Sequence, residues 1–123
     1  KIISVSNANV MTTTECLGLK MVTALVSRRA TREEIEQSGT SIASGYAREF
    51  DVTVMFFTSR KAAIRFGDGD SEMELPRLLR FVRGLYSRGS AGSVERIKFF
   101  PAGLTESDLD NFESAGENQI INR

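Results

Sequence analysis

The stretch from Val52 to Thr58 (VTVMFFT) places the strongest limit on how this chain can fold. It is a continuous apolar run of branched and aromatic residues with no polar alternation. That is the pattern of a central strand covered on both faces, not of one lying between core and solvent. Such a strand requires packing layers on two sides of a sheet. The chain has 123 residues, 41% of them hydrophobic. That is enough for a single domain over 1–123 with its own core and no disulfide or metal support.

Around this strand the sequence predicts further elements. Lys1 to Ser6 (KIISVS) reads as a short strand. Thr12, Thr13 and Thr14 offer N-caps for a helix to about Arg29, with Leu17, Met21, Ala24 and Leu25 on one face. Thr31 and Glu34 have the capping-box spacing, and the helix they open carries the stripe Ile35, Gly39, Ile42, Tyr46 and Phe50. Its polar positions are poor helix formers (Ser38, Ser41, Ser44, Gly45), which leaves room for a break near Gly39.

Ala62 to Gly67 alternates Ile64 and Phe66 against Arg65, which predicts a strand paired with Val52–Thr58 across Ser59, Arg60 and Lys61. Pro76 to Arg88 (PRLLRFVRGLYSR) reads as an amphipathic helix, and Val94 to Phe100 as a strand. Thr105 and Asp108 cap a short acidic helix to about Ser114. Beyond Gly116 the chain is either a loose tail or, at Gln119–Ile121, an edge strand. Taking the first two helices as one crossover, the expected class is α+β: a ferredoxin-like (split βαβ) sheet with a two-helix crossover and an extra C-terminal helix.

The chain has no histidine and a single cysteine, Cys16. Histidine-dependent nucleophile systems, histidine general bases and a structural zinc site are therefore excluded from this polypeptide. No catalytic residue, cofactor or metal site is expected, and the balance leans against an enzyme. A lone cysteine fits an intracellular, cytoplasmic location, and Cys16 itself reads as a small buried apolar residue. No membrane span or signal peptide is seen. The chain opens on Lys1, so an expectation is that natural sequence precedes it.

Sixteen basic and sixteen acidic residues cancel, but they are segregated. Arg77, Arg80, Arg83 and Arg88 share the predicted helix 76–88 with no acid, and residues 105–117 hold five acids and no base. A one-sign helix face gives up the i, i+4 ion pairs of a mixed surface and points to an anionic partner, with Arg60 and Lys61 extending it and Arg28, Arg29 and Arg32 as a further extension. An ordinary solvated face, answered by the acids of 105–117, is the simpler alternative.

Three other candidates fail on chemistry. Asp68, Asp70, Glu72 and Glu74 resemble a calcium loop, but Met73 and Leu79 stand where Gly and Glu are needed. Gly89–Gly92 leads from a helix into a strand, the reverse of a phosphate loop. The sheet aromatics lack the spacing of an RNA-recognition sheet. The expected function is a non-enzymatic binding and assembly module. Its arginine-rich face contacts a polyanion (RNA or DNA), and it forms homo-oligomers. The alternatives are a small enzyme or effector-binding domain for a phosphorylated or carboxylated metabolite, and a purely structural self-assembling protein.

Overall fold

The computed structural model describes residues 8–69, 75–90 and 94–121. They form one six-stranded mixed sheet with four helices, an α+β architecture. The strands are β1 (Asn9–Cys16), β2 (Leu19–Leu25), β3 (Asp51–Phe57), β4 (Val82–Arg88), β5 (Glu95–Phe99) and β6 (Glu117–Ile121). The helices are α1 (Arg32–Ala43), α2 (Arg60–Asp68), α3 (Leu75–Leu79) and α4 (Glu106–Asp110). Spatial order follows chain order, β1 to β6. Every neighbouring pair is antiparallel except β2–β3, which is parallel and joined through α1.

The apolar run behaves as its composition requires. On β3, Val52, Val54 and Phe56 meet α1, and Met55 and Phe57 face the opposite layer. Phe56 and Phe57 are both fully buried, each contributing about 2–3 kcal/mol of burial. The α1 layer spans β3, β4 and β5. Contact there is close enough that Gly39 lies directly on the Tyr86 ring, where a Cβ would come within 2.5 Å of Tyr86 Cγ. The second layer is α2 over β1, β2 and β3, with Gly67 directly over Thr12, joined by Leu78 and Leu79 of α3.

Both capping boxes form. The Thr31 Oγ1 accepts from Glu34 N–H at 3.2 Å, while the Glu34 carboxylate accepts from Thr31 N–H at 2.8 Å. Thr105 and Asp108 repeat the arrangement on α4. Helix α1 ends at Ala43, two turns short of Phe50, where the Ser44–Gly45 pair stops it.

Four expectations are corrected. Residues 12–29 form not a helix but the β1–β2 hairpin, turned by Leu17 and Gly18, both at positive φ (52° and 85°). Its Val and Thr content fits a pleated surface better than a helix, and Cys16 is exposed beside the turn. Ala62–Gly67 is helical, not a strand, because the Ser59 hydroxyl caps α2 by accepting from Ala62 N–H. The arginine helix 76–88 does not exist: α3 ends at Leu79, and Val82–Arg88 is a strand between β3 and β5. Its apolar spacing satisfies both periods, but Gly84 costs a helix about 1 kcal/mol, and a two-sided ladder is available.

The split βαβ layout does not appear either, since β2 and β3 are hydrogen-bonded directly with no strand between them. Glu117–Ile121 pairs with β5 as an edge strand and is not a loose tail. The Lys1–Ser6 strand, Asp70, Glu72 and Glu74 lie outside the described residues.

Candidate nucleic-acid interface

Parallel pairing makes β2 and β3 end at the same edge of the sheet, and the connections that follow them share that end. Val26 N–H donates to Phe57 O at 2.8 Å, and Thr58 N–H donates to Phe81 O at 2.8 Å. The segments 26–31, 58–61 and 80–83 are thereby stitched side by side. The β5–α4 connection joins them, as Leu104 N–H reaches Leu79 O at 3.3 Å.

These segments carry Arg28 and Arg29 after β2, Arg60 and Lys61 in the first turn of α2, and Arg80 after α3, with Arg77 three residues before it on α3 itself. All six are exposed. Among the described residues none of the six has an ion-pair partner. Arg60 Nη1 reaches only Met11 Sδ at 3.6 Å, and Arg80 lies over the Phe81 ring at 5.8 Å. Arg32, by contrast, is answered by Glu117 at 3.2 Å and Glu33 at 3.8 Å.

The α2 N-terminus is the unusual part. Its first turn holds no acid and two cations, although the helix dipole makes that end positive. A cation there costs about 0.3–1 kcal/mol, and an anion is favoured. Ser59 satisfies Ala62 N–H and Ala63 N–H, so among the described residues the N–H groups of Arg60 and Lys61 have no acceptor.

The six residues expected from the sequence divide by position. Arg60, Lys61, Arg77 and Arg80 are gathered at this end. Arg83 is there too, but it is engaged: Nε donates to Ala30 O at 2.9 Å, Nη1 to Pro101 O at 2.6 Å, and the guanidinium stacks on Phe99 at 4.8 Å. Arg88 lies at the opposite end, 7% exposed, donating to the carbonyls of Ala43, Ala47 and Phe50 behind α1. It satisfies the C-terminal end of α1, with its cation facing the negative pole. Of the further extension, Arg28 and Arg29 follow β2 directly and are exposed at this end, whereas Arg32 is ion-paired.

Among the described residues no helix is long and apolar enough to cross a membrane. Comparison with protein-family models, curated proteins and solved structures finds no match to this chain.

Proposed function

We propose that this protein is a non-enzymatic module that binds the phosphate backbone of a nucleic acid at the basic end of its sheet, through Arg28, Arg29, Arg60, Lys61, Arg77 and Arg80. The observation that carries this is the first turn of α2, where two cations and two uncommitted N–H groups stand at the positive pole of a helix. Alone they oppose the dipole; a phosphate placed among them answers both charge and hydrogen bonding. Arginine also grips phosphate through a planar fork, and five of the six residues are arginine. The neutral total of the chain is no obstacle, because the cluster is local and none of its six residues is ion-paired to a described acid.

Assembly into homo-oligomers belongs to the same reading, supported by the two edge strands. Among the described residues β1 and β6 are each paired on one side only, and pairing of unlike edges joins copies head to tail.

The test is anisotropy of a labelled single-stranded RNA across a salt series. Wild-type affinity is expected to fall steeply with salt, and Arg28→Ala/Arg29→Ala/Arg60→Ala/Lys61→Ala to lower the log–log slope by about 0.7 per lost phosphate contact, the single-strand value. The melting temperature of the variant should hold, since these side chains are exposed. No binding at low salt, or an unchanged slope in the quadruple variant, would sink the assignment.

A further inference from the structure

Among the described residues, the face of the sheet that carries α2 is not fully covered. Toward the end away from the basic cluster, two rows of side chains cross it in register. One row is Met21, Thr53, Ser87, Arg96 and Ile120; the next runs through Met55, Leu85, Lys98 and Asn118. The short Thr53 and Ser87 sit between longer neighbours, and this opens a groove of about 780 Å³, within the range of small-ligand sites. Phe112, after α4, walls it on one side, and Ile120 is half exposed on its rim.

The polar groups of the groove are unequal. Lys98 is fully committed: Nζ donates to Glu113 O at 3.0 Å, to Ala115 O and to Asn118 Oδ1, and it lies over the Phe112 ring at 4.9 Å. Burial lowers its pKa from the usual lysine value, with Glu113 opposing and Arg96 adding to that shift. Lys98 and Glu113 offset each other in charge. Arg96 is exposed and has no ion-pair partner among the described residues. The cross-strand neighbour Ser87, like Thr53 beside it, has a hydroxyl with no bond to another described residue.

We infer that this groove binds a small apolar carboxylate, its head held by Arg96 with the Ser87 and Thr53 hydroxyls, its body over Met21, Met55, Leu85 and Phe112. Charge complementarity selects the class. The floor is apolar, one guanidinium is uncompensated, and two hydroxyl donors sit next to it, so a ligand needs one anionic group on a hydrophobic body. The site is separate from the basic end of the sheet and does not rest on the nucleic-acid reading.

The experiment is calorimetric titration of the whole protein with dodecanoate below its micelle-forming concentration, and with 1-dodecanol as the neutral counterpart. Dodecanoate should bind more tightly than the alcohol. Arg96→Gln should weaken dodecanoate by about tenfold, the loss of one charge-assisted contact, and leave the alcohol unchanged. Ser87→Leu, which fills the gap, should abolish both, with melting curves confirming that each variant folds. Three outcomes overturn the proposal. One is the absence of dodecanoate binding. Another is equal binding of dodecanoate to wild type and Arg96→Gln. The third is self-association that Ser87→Leu disrupts while dodecanoate never binds, which would make a second copy the occupant.

Discussion

Leu17 is the one described non-glycine residue at positive φ, and its side chain is completely exposed. It occupies the first central position of a two-residue hairpin turn with Gly18, where both residues need left-handed backbone. A branched aliphatic residue there pays a steric cost of about 1–2 kcal/mol with no burial in return. Leu17→Asn should therefore stabilise the protein by about 0.5–1 kcal/mol, read as a higher denaturant midpoint with unchanged slope. A lower midpoint would mean that Leu17 is held by a contact other than the turn. Arg88 is the opposite case, a buried charge satisfied by three main-chain carbonyls with Nε left without a partner. In sequence it cannot be distinguished from Arg77 or Arg80. Only its position on the inner face of β4, under the end of α1, makes it a structural residue.

The elements were legible where a local hydrogen bond or a long apolar run decides them. Thr31 with Glu34 and Thr105 with Asp108 close their caps within one turn of chain, so residue spacing is sufficient. Thr31→Ala should lower stability by about 1 kcal/mol, and a guanidinium melt would check it. If the midpoint does not move, packing of Ile35 alone positions the start of α1. Elements with two admissible periods were not legible. In Val82–Arg88, residues 82, 85 and 86 satisfy a helical stripe as well as a strand. In Ala62–Gly67, Ile64 and Phe66 alternate like a strand, but the buried pair is Ala62 and Ala63. The cue that separates the readings in α2 is Ser59, an N-cap placed immediately after a strand.

For the molecule as a whole, chain-order topology leaves its first and last described strands at the two edges. β1 is eight residues long and contains neither lysine nor proline, the usual devices against edge pairing. Thr14 is exposed on it, and a charge there should block pairing with another copy. Sedimentation velocity is expected to show concentration-dependent association of the wild-type chain and a monomer for Thr14→Lys. Identical behaviour of the two proteins would exclude β1 as the contact.

The candidate interface shows the same division between local and long-range information. That basic residues are concentrated and segregated from acids is written in the chain, as is the absence of histidine chemistry, because composition alone determines both. Also determined by sequence alone was that a sheet with layers on both faces must form, since Val52–Thr58 has no polar side to give to water. Which arginines share a surface was decided only by tertiary structure. Arg28, Arg60 and Arg80 are far apart in sequence and meet because a parallel crossover brings the ends of β2 and β3 to one edge. Helical periodicity groups residues three and four apart, but strand pairing groups residues at any separation, and no local pattern encodes which pairing occurs.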